Sequence, residues 1–191
     1  MGSGKSTFAR MLQGQGGGLV DADALAREVV DDDVDLRREL AAAFGHDLLD
    51  ENDCLNRLEL ARRALADDTG RCRLEGIVRP RLEPMLATAL ATAETTSAIV
   101  VFDAPLIFEW RIEHWFDRIF VVGTEADTAA SRVASSRGLD ASEVHQRRAA
   151  QLHSSQYTGE IESVDNNGSL EELASKARKI WQALVRDLES A

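Results

Sequence analysis

The apolar positions of this chain change their period several times, and each change predicts an element. Phe8, Met11 and Leu12 recur at helical spacing directly after Gly4-Lys5-Ser6. A helix is therefore predicted from about Lys5, ended by the glycine cluster Gly14 to Gly18. Leu19-Val20-Asp21 reads as a short strand running into a helix that Asp21 and Asp23 can cap. Residues 24–92 hold no clear strand. Their Ala, Leu and Arg content predicts several helices, broken near Gly45-His46-Asp47, near Asp67 to Gly70 and at Pro80. Ile99-Val100-Val101-Phe102 and Ile119-Phe120-Val121-Val122 are continuous apolar runs, as expected of strands buried on both faces. The polar, arginine-containing stretch from Thr124 to about Gly159 predicts helix, and Ile161 to Asp165 a fourth strand. A last helix starts at Ser169, with Glu172 completing a capping box. Its apolar stripe is Leu173, Ala177, Ile180, Trp181, Leu184 and Leu188, read as core packing. Strands alternating with helices predict an α/β fold with a doubly wound parallel sheet.

Composition narrows the class. Hydrophobic residues make up 44% of the 191, an ordinary share that disfavours disorder. A chain of this size hides roughly 70% of its unfolded surface, so a sizeable core is expected. The 22 basic and 33 acidic side chains leave a net charge of −11, which argues against a general nucleic-acid binder but not against a local anion-binding loop. Cys54 and Cys72 are the only cysteines, which rules out a disulfide scaffold and suits reduced thiols in a cytoplasmic protein. No apolar run approaches membrane-spanning length, and the chain opens without a basic-then-apolar leader, so neither a membrane partner nor a signal peptide is predicted.

The chemistry begins at the first residues. Met1-Gly2-Ser3-Gly4-Lys5-Ser6-Thr7 contains the second half of the phosphate-binding signature G-x-x-x-x-G-K-[ST]. Glycines let backbone N–H groups crowd around phosphate oxygens, and the following helix points its positive end at them. Lys5 would reach the terminal phosphates and the Ser6 hydroxyl would ligate Mg²⁺. The signature's first glycine and the strand before it would precede Met1, so a strand and that glycine are expected upstream. Asp23, at the end of the second strand of such a fold, is either a general base for an attacking hydroxyl or a plain helix cap. Asp103, ending the Ile99–Phe102 strand, either holds Mg²⁺ through water or is a solvated strand-end carboxylate. Arg132, Arg137, Arg147 and Arg148 fall in one segment, as in a lid that clamps phosphate. His46, His114, His145 and His153 lack metal-ligand spacing, so a zinc site is not expected. Trp110 and Trp115 read as packing residues rather than base-stacking platforms.

Together these motifs resemble the dephospho-coenzyme A kinase family. The resemblance rests on the Gly2 to Thr7 loop, Asp21-Ala22-Asp23, Leu74-Glu75-Gly76-Ile77-Val78-Arg79-Pro80, Pro105-Leu106-Ile107-Phe108-Glu109, Arg132 with Arg137-Gly138-Leu139, Arg147 with Gln151, and Asp165-Asn166-Asn167-Gly168-Ser169. Leu36-Arg37-Arg38-Glu39-Leu40 and Phe44-Gly45 resemble the family's helical insert. The chain departs from the pattern at Arg79, where the family has histidine, and near Gln156, where it has lysine.

The resemblance implies a P-loop NTPase-type fold with an inserted helical substrate-binding subdomain and a helical lid. It implies a nucleotide-binding core over residues 1–29 and 97–191, a lid over about 124–160 and a coenzyme-binding insert over 30–96. The reaction implied is ATP-dependent phosphorylation of the ribose 3′-hydroxyl of dephospho-coenzyme A, with Mg²⁺. Asp23, Lys5 and Arg137 would be catalytic. Gly2, Ser3, Gly4, Lys5, Ser6, Thr7, Arg147, Asn166 and Gly168 would bind ATP, the last two near the base. Arg79, Pro80, Glu109 and Arg132 would bind the acceptor. The competing readings are a related small-molecule or nucleoside monophosphate kinase, and a catalytically impaired nucleotide-binding relic.

Overall fold

A computed structural model describes residues 3–124 and 160–190. The chain divides into two compact units, Met1–Leu19 with Thr96–Ala191, and Val20–Thr95.

In the first unit, helix α1 (Lys5–Gln13) follows Gly4 at once and ends at Gly14. Strand β1 (Gly18–Asp21) runs across the boundary between the units. It pairs with β2 (Val100–Asp103), and its first N–H, that of Gly18, donates to the Ile99 carbonyl at 2.9 Å. Strands β3 (Arg118–Gly123) and β4 (Glu160–Asp165) run parallel, in register from Arg118 opposite Glu160 to Gly123 opposite Asp165. The described strands thus form two pairs, and α1 packs on both β2 and β3. Helix α6 (Leu170–Ser190) closes the unit against α1. Ser169 caps it by accepting the Glu172 N–H at 3.2 Å.

The core of this unit follows from two periodicities. Phe8 and Leu12 lie one turn apart on α1, as do Leu173 and Ala177 on α6, and all four are buried together with Val164 of β4. Val101, Phe120 and Val122 pack on the same cluster, as do Met11, Ile180 and Trp181. The expected stripe on the last helix ends sooner than its spacing suggests. Leu188 is 50% exposed among the described residues.

The second unit is helical from Ala22 on. It contains α2 (Ala22–Asp32), α3 (Val34–Phe44), α4 (Arg57–Ala64), α5 (Asp68–Glu94) and a 3₁₀ turn at His46–Leu48. Leu36, Leu40, Leu48 and Leu86 are its most completely buried side chains. The second unit begins at Val20 and so includes α2, which packs on α3 and α5. Pro80 does not break a helix here. Both Pro80 and Pro84 sit inside α5, whose Leu82 and Leu86 are buried. Each proline removes one N–H from the ladder, but tertiary packing along the same helix outweighs that loss. The break near Asp67 is real. Asp67 is the N-cap of α5, and its carboxylate accepts the Gly70 N–H at 2.7 Å.

Candidate active site

The phosphate-loop residues stand where α1 begins. Gly4 takes a left-handed conformation, φ 84° and ψ 13°, which a glycine adopts without strain. Its carbonyl accepts the Phe8 N–H at 2.9 Å, so the helix starts directly after it. The other described α-helices are each capped by a side chain, from Asp21, Asp33, Asn56, Asp67 and Ser169. Among the described residues α1 has no such cap and no acid in its first turn. Its opening N–H groups and positive dipole end are therefore available to an anion.

Alternation along the strands explains what surrounds that helix start. Val101 faces the core cluster with α1, so Asp103, two residues on, faces the same way. Asp103 is 5% exposed and forms an ion pair with the Lys5 ammonium. A carboxylate so deeply buried needs a charged partner, and Lys5 supplies it across 98 residues of sequence. On β3, Phe120 and Val122 face the core, and Thr124, next in the alternation, is buried. On β4, Val164 faces the core, and Asn166 follows two residues later, 6% exposed. The Asn166 side-chain amide donates to the Ser3 carbonyl at 2.7 Å, and its backbone N–H donates to the Gly123 carbonyl at 2.7 Å. The Thr124 hydroxyl donates to Asn167 Oδ1 at 2.8 Å.

The structure therefore brings Ser3, Gly4, Lys5, Asp103 and Asn166 together. Ser6 is half-buried and Thr7 exposed in the first turn of α1. Gly168 is exposed, and a Cβ there would strike the Glu172 carboxylate. Glu109 is half-buried beyond β2. Trp110 is buried, and Trp115 packs edge-on to Phe102 with ring centroids 6.4 Å apart, which favours the packing reading of both.

Asp23, Arg79 and Pro80 belong to the second unit. Asp21 takes the capping role on α2, accepting the Ala24 N–H at 2.9 Å. Asp23 lies exposed in the first turn beside it, so capping does not account for its carboxylate. Arg79 donates to Glu83 one turn on in α5 at 2.6 Å, and Pro80 is exposed. Gly2, Arg132, Arg137 and Arg147, with the lid to which the last three were assigned, lie outside the described residues.

The donors present suit Mg²⁺. This hard cation takes oxygen ligands, commonly one or two carboxylates with phosphates and water. The Ser6 hydroxyl and the Asp103 carboxylate are oxygen donors of that kind. No cluster of three or more His, Cys, Asp or Glu side chains offers a softer or all-protein cage among the described residues.

Two features escaped the sequence reading: the Lys5–Asp103 pair and the hold of Asn166 on Ser3. The second spans 163 residues. Only the two-residue spacing from Val101 to Asp103 and from Val164 to Asn166 carried a hint of either.

An uncapped helix start behind a Gly-Lys-Ser loop, on an α/β core whose strand ends carry Asp103 and Asn166, defines an α/β phosphotransferase of the P-loop NTPase type. Comparison with known proteins narrows this. The family model of dephospho-CoA kinase matches residues 1–172, and the chain belongs to that family. A dephospho-CoA kinase of Thermobifida fusca is 36% identical over 191 residues, covering all of this chain and 95% of that protein. One of Corynebacterium efficiens is 35% identical over 189 residues, covering 97% and 94%. The crystal structure of TT1252 from Thermus thermophilus superposes with a TM-score of 0.75 at 27% identity, covering 96% of this chain and 93% of that one.

Proposed function

We propose that the chain transfers the γ-phosphoryl group of ATP to the ribose 3′-hydroxyl of dephospho-coenzyme A, in the last step of coenzyme A synthesis. The observation that carries this reading is the start of α1. Its opening N–H groups follow Gly4 with no side-chain cap among the described residues, and Lys5 is paired with a buried carboxylate at the end of β2.

In this reading the loop Gly2 to Thr7 cradles the ATP phosphates and Lys5 offsets their charge. The exposed Asp23 carboxylate accepts the proton of the attacking hydroxyl. A bond forms between the ribose oxygen and the γ-phosphorus, the bond to the β,γ-bridging oxygen breaks, and ADP leaves. Arg79, Pro80, Glu109 and Arg132 bind the acceptor, and Arg137 and Arg147 clamp the phosphates from the lid. Asn166 and Gly168 serve the ATP side. Ser6 would ligate Mg²⁺ and Asp103 would hold it through water; when bound, the ion neutralises charge on the phosphate oxygens. Residues 1–29 and 97–191 carry the nucleotide and 30–96 the coenzyme. A cytoplasmic location fits the free thiols of Cys54 and Cys72. In addition, no helix among the described residues is long and apolar enough to cross a membrane.

Steady-state ADP release with dephospho-coenzyme A tests the two central roles. Lys5→Ala should lower kcat/KM by about 100-fold or more. Asp23→Asn should lower kcat by about 100-fold with the KM for ATP kept. Wild-type turnover by Asp23→Asn would remove Asp23 from the chemistry.

A further inference from the structure

Asn166 lies at the turn between β4 and α6, and its contacts run toward the phosphate loop. Its side-chain amide donates to the Ser3 carbonyl, and its own N–H is held by the Gly123 carbonyl, both at 2.7 Å. A Cβ built on Gly4 would overlap the Asn166 amide nitrogen. The amide is thus seated against the loop backbone at two successive residues. The asparagine itself is fixed from behind, since it is 6% exposed and the turn is tied down on either side. The Asp165 carbonyl accepts from the Lys176 ammonium at 2.6 Å, and Asn167 accepts from Thr124 at 2.8 Å.

We propose that Asn166 is a positioning residue for the phosphate loop: its amide holds the Ser3 carbonyl so that the N–H groups at the start of α1 stay directed at the phosphates. The inference rests on the reading of Ser3 to Thr7 as the ATP phosphate site. It assigns Asn166 to the loop backbone rather than to the nucleotide base. The physical reason lies in the direction of the loop's peptide groups. A peptide whose carbonyl is pinned outward cannot rotate to present that oxygen to an anion, so the donors are set before the ligand arrives. The contact also makes Gly4 obligatory twice over, once for its φ of 84° and once for the space its missing side chain leaves to the amide.

The test uses inorganic tripolyphosphate, which carries the phosphates of ATP without its base. Its inhibition constant is measured beside the KM for ATP, the KM for dephospho-coenzyme A and the melting temperature. Asn166→Ala should raise the ATP KM and the tripolyphosphate constant by the same factor, about tenfold, equivalent to about 1.4 kcal/mol. The KM for dephospho-coenzyme A should stay within about twofold. Asn166→Asp keeps the volume but loses the donor, so it should not restore wild-type values. It also keeps the test alive if the alanine variant fails to fold. A rise in the ATP KM with tripolyphosphate unchanged would assign Asn166 to the base and overturn the proposal. Recovery by Asn166→Asp would reduce its role to filling space and overturn it equally. If neither constant moves in the Asn166 variants while Lys5→Ala weakens both ligands, the clamp fails and the phosphate site stands. If Lys5→Ala leaves both ligands unaffected, the phosphate site falls and the clamp with it.

Discussion

Gly4 is the residue on which the loop turns. Its φ of 84° lies in the left-handed region, where any L side chain is strained. Gly4→Ala should cost about 1–3 kcal/mol of stability from strain alone. It should also weaken ATP by pressing on Asn166, so denaturant unfolding and the ATP KM should worsen together. A stable variant with wild-type ATP affinity would show that the turn does not set the loop. Residues of this kind were legible in the sequence because Gly-Lys-Ser needs only near neighbours to be recognised. Lys5 with Asp103, and Asn166 with Ser3, were not legible, since 98 and 163 residues separate the partners. The D-N-x-G-S resemblance pointed to Asn166, but its hydrogen bond to the Ser3 carbonyl was not legible from that motif.

At the scale of elements, the chain's periodicity located the four described strands to within a residue or two at each end. It misjudged α5, because a proline rule is local and the packing that overrides it is not. Gly76, four residues before Pro80, bears no side chain, and open space lies where its Cβ would be. The turn between α3 and α4 rests on charge. Arg63 of α4 donates to Asp47 at 2.6 and 2.9 Å and to Glu59 at 2.7 Å, and it also donates to the Phe44 carbonyl at 2.9 Å. Hydrogen bonds from Arg63 hold the Asp47 carboxyl down to about 2. Those from Arg62 and Arg63 do the same for Glu59, to about 2. Both folded values lie below the ordinary ones, 3.8 and 4.5, so the stability they contribute is present above about pH 4.5. It is lost as pH falls through that range toward 2. Circular dichroism on unfolding in denaturant, repeated from pH 6 to 2.5, should show stability falling below pH 4.5. Arg63→Met should lower stability at pH 6 and flatten the fall. An unchanged slope would mean that other carboxylates dominate acid unfolding.

The molecule as a whole was legible in the order of its motifs more than in any one of them. A glycine-lysine loop is shared by many enzymes. Asp21-Ala22-Asp23, Pro105 to Glu109 and Asp165 to Ser169, in that order, singled out one family, and the family model matches residues 1–172. The helical content of residues 24–92 was legible in their composition, whereas the packing of α2 on α3 and α5 was not. The charge of −11 leaves the proposed phosphate site intact, because in that reading recognition is local, carried by the start of α1, Lys5 and the lid arginines. The central claim is that this chain phosphorylates dephospho-coenzyme A at the ribose 3′-oxygen. It is tested most directly by incubating the protein with ATP, Mg²⁺ and either dephospho-coenzyme A, a nucleoside monophosphate or a shikimate-like alcohol, then locating the new phosphate by ³¹P NMR. The account predicts turnover with dephospho-coenzyme A alone and a new 3′-phosphomonoester on its ribose. ATP binding without turnover, or faster phosphorylation of either other acceptor, would contradict it.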